Sequence, residues 1–249
     1  MSPGYEALIL HQYDVSPFSE KVRVALGIKA MRWSACDQPM MMPKPEMVRL
    51  TGGFRRIPGL QVGADLYFDS QFILEELDRR SSSPSVFAGS GVGLSGAFTQ
   101  WSDNGLFLTI AGLLFAGDWD YDEAFLEDRG AMIGRPIDPA ARAAAAPTLI
   151  PELRMQLDLI EAQLADGRAF LTGPSPNAVD ATLYGHLFFA RWSKGWTRGL
   201  IDAFPGLRAW ESRVAAIGHG ARGEDVGREA AIAIAREDQG CTRRCCDDG

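Results

Sequence analysis

Apolar and polar positions follow two different rhythms along the chain, and the change of rhythm divides it. Ala7-Leu8-Ile9-Leu10 is a short apolar run of strand type over Leu8–His11, and from Phe18 to Ala30 the apolar residues Val22, Val24, Ala25 and Ile28 recur at helical spacing. Arg32–Cys36 reads as a second strand. Gln38–Pro45, with three prolines and three methionines, is too interrupted for regular structure, and Thr51-Gly52-Gly53 signals a turn. Pro58–Val62 and Leu66–Phe68, separated by Gly63-Ala64-Asp65, read as a hairpin. Asp69-Ser70 then caps a helix over Gln71–Arg80 whose apolar face is Phe72, Ile73, Leu74 and Leu77. A βαβ unit followed by ββα predicts a small α/β layer over residues 1–82.

Beyond it the two-residue rhythm disappears. Ser81–Ser85 and the glycine-rich Gly89–Gly96 mark a linker, taken as residues 83–95, before a helical region of residues 96–220. Helices are predicted near Gly96–Ala116, Asp122–Ile133, Pro147–Leu164, Ala178–Trp192 and Gly206–Ile217, with a weaker one at Glu224–Arg236. Leu149, Leu153, Leu157, Ile160 and Leu164 keep core spacing. Asn177 with Asp180 forms a reciprocal capping pair whose role is folding. Residues 221–249 read as an added helix and a disordered tail. The fold class is therefore α/β followed by all-α.

Composition narrows the function. The 249 residues carry 46% hydrophobic positions and a formal charge of −7, with basic residues scattered, which suits a folded core and argues against nucleic acid as partner. Met1–Glu6 lacks the features of a signal peptide and Leu106–Gly117 is too short to cross a bilayer, so a soluble, cytoplasmic protein without a membrane partner is expected. Cys36 is alone in the body, while Cys241, Cys245 and Cys246 crowd the last nine residues with no second ligand pair, so neither a disulfide framework nor a metal site is expected. Met40, Met41 and Met42 read as gap-filling or loop residues. His11, His186 and His219 show no triad-like arrangement and read as structural.

Ser16-Pro17-Phe18-Ser19-Glu20-Lys21-Val22-Arg23 carries the candidate chemistry. Ser16 fits an N-cap and Pro17 fits N1, where no amide hydrogen is needed. The free amides of such a turn and its hydroxyl point at one place, which suits an anion. Ser16 is the candidate and Ser19, about one turn into the helix, the reserve.

The α/β-then-helical order, this serine turn, the Ile57-Pro58 step and the Asp69-Ser70 cap together resemble the glutathione transferase superfamily over residues 7 to 217. The turn is similar to that of the serine-type tau and zeta classes and of the omega class, which has cysteine at the Ser16 position. The resemblance implies a thioredoxin-like glutathione-binding domain, a helical second domain, glutathione as co-substrate without a metal, and a homodimer.

It further implies that Ser16 hydrogen-bonds the glutathione sulfur. Lowering a thiol pKa from ~8.5 by about two units requires roughly 2.7 kcal/mol of preference for the thiolate. A hydrogen bond to a charged acceptor contributes about 1.5–3 kcal/mol and a helix N-terminus about 0.3–2 kcal/mol. The family's hydrophobic-Pro step, cis at the proline, corresponds to Ile57-Pro58 and pairs with the cysteinyl backbone. Asp69-Ser70 corresponds to the acid-Ser pair that holds the γ-glutamyl end, with aspartate in place of the commoner glutamate. Phe18 belongs to the glutathione-binding turn, and Arg56 or Lys44 is implied for the glycyl carboxylate, the alternative for Lys44 being a solvated surface residue. Tyr13, Trp101, Phe107 and Phe115, with Trp119 nearby, are candidates for a pocket taking a small hydrophobic electrophile, or plain core. The expected function is conjugation to, or glutathione-dependent conversion of, that electrophile. A glutathione-dependent isomerase and a non-catalytic binding or scaffold protein of the same fold are the alternatives.

Overall fold

The structure, a computed structural model, describes the backbone of residues 7–247 and the side chains of residues 7–238. The expectations on Met1–Glu6 and on the thiols of Cys241, Cys245 and Cys246 lie outside the described residues.

The first layer is a mixed sheet. Strands β1 (Leu8–Gln12), β2 (Arg32–Asp37), β3 (Gly59–Val62), β4 (Asp65–Phe68) and a short β5 (Ala221–Arg222) lie in the order β4-β3-β1-β2-β5. β1 is parallel to β2 and antiparallel to β3, with His11 opposite both Cys36 and Gly59. Helices α1 (Pro17–Ile28), α2 (Pro45–Thr51) and α3 (Ser70–Arg80) complete it. α2 was not predicted: Pro45 opens it at a first-turn position and Gly52, at φ 71°, closes it, so the proline and glycine that look like breakers are its two ends.

The helical part contains α4 (Gly91–Trp101), α5 (Phe107–Leu113), α6 (Glu123–Ile133), α7 (Pro139–Leu164), α8 (Ala178–Ala190), α9 (Trp196–Asp202), α10 (Pro205–Ala215) and α11 (Arg228–Asp247). π-helical turns at Ser102–Leu106 and Leu114–Asp118 break the first predicted helix into α4 and α5, and α4 starts inside the expected linker. α7 begins well before Pro147. Asp138 caps it by accepting from the Ala140 amide at 2.9 Å, and the alanines that follow favour helix enough to carry Pro147 and Pro151. α11 extends over most of the segment expected as a tail.

α1 is sandwiched, and its two faces pack into different cores. Val22, Ala25 and Leu26 join Leu10, Leu60, Ile73 and Leu77 under the sheet, while Val24 joins Leu153, Leu157, Leu183 and Trp210 in the helical domain. Gly185 of α8 permits the close approach, since a Cβ there would lie 2.4 Å from the Pro17 carbonyl oxygen. Because no face of α1 meets solvent freely, its charged residues are buried among partners: Arg23 pairs with Glu20 at 2.7 Å and donates to the Asp14 carbonyl at 2.9 Å.

α11 and α2 lie together beyond the strands. Ile9, Cys36 and Ala231 form a small apolar cluster, Gln61 donates to the Ala231 carbonyl at 2.8 Å, and Arg49 pairs with Glu229. Among the described residues no helix is long and apolar enough to cross a membrane.

Candidate functional site

The site is built at the end of β1, where the chain turns into α1. Ser16 has an extended backbone and its Oγ accepts from the Ser19 amide at 3.1 Å, while Pro17 begins the helix. Oγ is thus the acceptor in one bond, and its own hydrogen is available to a further acceptor such as a sulfur anion. The serine is 1% exposed. Ser19, the reserve, is buried with its hydroxyl oxygen unpartnered. The Phe18 ring faces the helical domain, edge-on to Phe107 at 5.0 Å and to His186 at 5.7 Å.

Ile57–Pro58 is cis, and Ile57 precedes the first paired residue of β3, Gly59. Asp69 caps α3 at φ 72°, a conformation that costs a non-glycine residue about 1–3 kcal/mol. Its Oδ1 accepts from the Gln71 amide at 2.8 Å and the Phe72 amide at 3.4 Å, and Ser70 is buried at the first helical position.

Lys44 is 2% exposed, so the solvated reading does not hold. Its ammonium donates to the Arg55 carbonyl at 3.3 Å and lies 5.6 Å from the centre of the Tyr13 ring. Burial, then the like charges of Arg129 and Arg55, push its pKa down to about 8. Arg56 is exposed, whereas its neighbour Arg55 turns inward onto Asp128 of α6 at 2.6 Å.

The aromatic candidates separate. Phe107 packs on Phe18 and on Phe189 (6.0 Å), Phe189 on Trp119 (5.6 Å), and Phe115 joins Trp119 and Phe125. Phe107 and Phe115 therefore belong to a continuous wall from Phe18 of the serine turn to α6, while Tyr13 lies under the Lys44 ammonium. Trp101 does not. It packs on Phe98 at 5.2 Å and lines a separate groove of about 320 Å³ between α4 and α7 with Leu94 and Leu159.

Several residues of the site escape sequence reasoning. Lys21, 1% exposed on α1, donates to Gln71 Oε1 at 3.3 Å, and burial pushes its pKa down to about 8 against the opposing charges of Asp103 and Asp69. On α6, Asp128 accepts from the Met42 amide at 3.0 Å and Arg129 donates to the Met40 carbonyl at 2.8 Å. The Arg55-Arg56 doublet is the one signal in the sequence that touches this cluster. Nothing local pairs it with a carboxylate 73 residues away.

The cysteine and histidines take structural places. Burial raises Cys36 to about 11, which keeps it a thiol. His11 bonds Gln61 Oε1 at 2.8 Å and Gln38 at 3.1 Å, and burial lowers its pKa. Buried His186 is likewise lowered beside Ser102 (2.7 Å). His219 sits on Glu20 at 2.9 Å.

Family models described as glutathione S-transferase, N-terminal domain, and glutathione S-transferase, C-terminal domain, match residues 10–85 and 139–213. No curated protein sequence matches the chain. Among solved structures it is similar to a glutathione S-transferase-like protein from Pseudomonas syringae, with 30% identity over 92% of this chain and 74% of that one and a TM-score of 0.74. A tau-class glutathione S-transferase from mango, Mangifera indica, shares the fold at 16% identity, 84% and 89% coverage and a TM-score of 0.62. So does a glutathione S-transferase-I bound with lactoylglutathione, at 16% identity, 85% and 98% coverage and a TM-score of 0.60. A mixed sheet with a serine-capped α1, a cis proline before β3 and a helical second domain, matched by both domain models and by the Pseudomonas relative, establish that this chain belongs to the glutathione S-transferase superfamily.

Proposed function

We propose that the protein is a glutathione transferase that uses Ser16 to hold glutathione as its thiolate for attack on a small electrophile. The observation that carries this reading is the direction of the Ser16 bonds: Oγ accepts from the Ser19 amide, which polarises the hydroxyl and leaves its hydrogen to donate to sulfur. The start of α1 adds its positive potential at the same place.

Glutathione is then read as an extended strand beside β3. The Ile57 backbone pairs with its cysteinyl unit. Both cap bonds of Asp69 fall on Oδ1, so Oδ2 faces the γ-glutamyl ammonium group, with the Ser70 hydroxyl and the α3 amides for the carboxylate. Phe18 contributes its place in the turn. Lys44 takes the glycyl carboxylate, with Arg56 at the rim. The electrophile enters between Tyr13 and the Phe107–Phe115 wall, and Trp101 is left out of it. The active form is a homodimer with two-fold symmetry.

Turnover of a haloaromatic substrate by Ser16→Ala tests the reading. Loss of conjugation with glutathione binding retained is the expected result, and unchanged turnover would refute it.

A further inference from the structure

The cations at the mouth of the serine turn are out of balance with the acid that meets them. Lys44, Arg55 and Arg129 converge on one carboxylate, Asp128. The Lys44 ammonium donates to the Arg55 carbonyl at 3.3 Å, and Arg55 Nε is buried without a hydrogen-bond partner. A half-buried cluster of three positive groups and one negative group is built for a further anion, or for an exchange of anions.

Asp128 comes from an element that is weakly held. α6 buries Phe125 and Gly130, and most of its other residues are exposed or half-buried. Its polar ties to the sheet domain are Asp128 to Arg55 and to the Met42 amide, and Arg129 to the Met40 carbonyl. Burial works against the charged form of Asp128, yet the Met42 amide and Arg55 hold it ionised below its usual range. Ser16, at the neighbouring turn, is itself almost wholly covered. A ligand that is to reach the hydroxyl must displace something.

We propose that Asp128 is an internal stand-in for the glycyl carboxylate of glutathione, and that the incoming carboxylate takes its place among Lys44, Arg55 and the Met42 amide, releasing α6 from the Met40–Met42 loop. The inference rests on the reading of the site as a glutathione site. One carboxylate replaces another, so the charge of the cluster is conserved and the cost of entry is the loss of a local latch rather than of a fold-wide contact.

The test uses S-methylglutathione, which cannot react, and its glycyl ethyl ester, which lacks the carboxylate charge. Asp128→Asn keeps an acceptor for the Met42 amide but removes the competing charge. Calorimetry should show it binding S-methylglutathione roughly two- to fivefold tighter than the wild type, the range of a partly exposed ion pair, with the affinity for the ester unchanged. In the wild-type protein, hydrogen exchange of the α6 amides should speed up on adding S-methylglutathione and stay unchanged with the ester. That second arm needs no variant. If both compounds bind and Asp128→Asn binds S-methylglutathione equally or more weakly, or if the α6 amides slow down, Asp128 is a positioning partner of Arg55 and the exchange is wrong. If neither compound binds either protein, the glutathione reading itself fails and takes the inference with it.

Discussion

Two helix starts in this molecule use short polar side chains in the same way and differ in how much they leave undone. At α8, Asn177 Oδ1 accepts from the Val179 amide at 3.0 Å, and Asp180 accepts from Asn177 (3.0 Å), Leu171 (2.9 Å) and the Trp210 indole (2.8 Å). Both Asp180 oxygens are occupied, in a pocket so buried that the carboxyl pKa is raised in spite of its donors. At α1, Ser16 takes a single amide, Pro17 supplies none, and the Ser19 hydroxyl oxygen has no partner. The saturated cap is a folding device. The unsaturated cap retains donor capacity for a ligand, and the two helices pack face to face through Gly185. On the proposed reading of Ser16, what would separate a structural cap from a catalytic one is residual hydrogen-bonding capacity, not residue type.

The largest effect should come from breaking the saturated cap. Asp180→Ala strands the Leu171 and Asn177 amides and the Trp210 indole in the core, and urea unfolding should lose about 3–5 kcal/mol, as for a buried charged acceptor removed from its donors. The molecules that still fold should retain their affinity for glutathione. Loss of affinity at unchanged stability would mean that the α8 cap is part of the site.

Ser16→Ala should do the reverse. Stability should fall by only about 0.5–2 kcal/mol, the worth of one N-cap bond. Conjugation should fall by roughly 10²–10³-fold, about 2.7–4 kcal/mol, the size of losing one donor to a developing anion. A rise of the bound thiol pKa, read from thiolate absorbance against pH, would accompany it. Equal losses in both quantities would erase the distinction between the caps.

This difference also explains what the sequence made legible. The Asn177–Asp180 pair is local, so spacing alone announces it, and Asp69-Ser70 is found the same way. Ser16 is legible as a cap, while its burial appears only when the chain folds and α8 packs against Pro17 beside it. Lys21 looks like an ordinary helix lysine until α3 and α8 bury it, and Arg55 with Asp128 is a meeting across 73 residues. Arg56 is named by the resemblance, which fixes a position in the chain, whereas the inward direction of the neighbouring Arg55 side chain is decided by the α6 carboxylate it meets. α2 was hidden because its end signals resemble those of a loop.

A smaller perturbation acts on both caps at once. Gly185→Ala would set a methyl group 2.4 Å from the Pro17 carbonyl oxygen and 3.2 Å from the Lys21 amide nitrogen, so α8 must withdraw from α1. The expected cost is about 1–3 kcal/mol of stability, as for other overpacked contacts, together with a lower kcat because Pro17 follows Ser16 directly. Unchanged kcat at reduced stability would show that the serine turn does not depend on its seat against α8.

The weakest effect is a titration, and it asks whether unsatisfied capacity at the α1 turn extends to Lys44. Its pKa is lowered from 10.5 to about 8, so between those values the unfolded chain binds more protons and protein stability gains from this group as pH rises. A bound carboxylate favours the charged form instead. Affinity for S-methylglutathione should therefore be full below about pH 8 and decline above it, by about tenfold at one unit beyond that pKa if binding requires the ammonium form. Asp128 is ionised throughout this range, since its pKa is lowered, so it does not supply the step. The ligand's own amine is common to all variants, and Lys44→Arg separates it from the protein, because a guanidinium stays charged and should remove the decline near pH 8. Persistence of the same step in Lys44→Arg would assign it to the ligand amine or to Lys21 beside Asp69, and would move the pH-sensitive charge from the glycyl end of the site to the γ-glutamyl end.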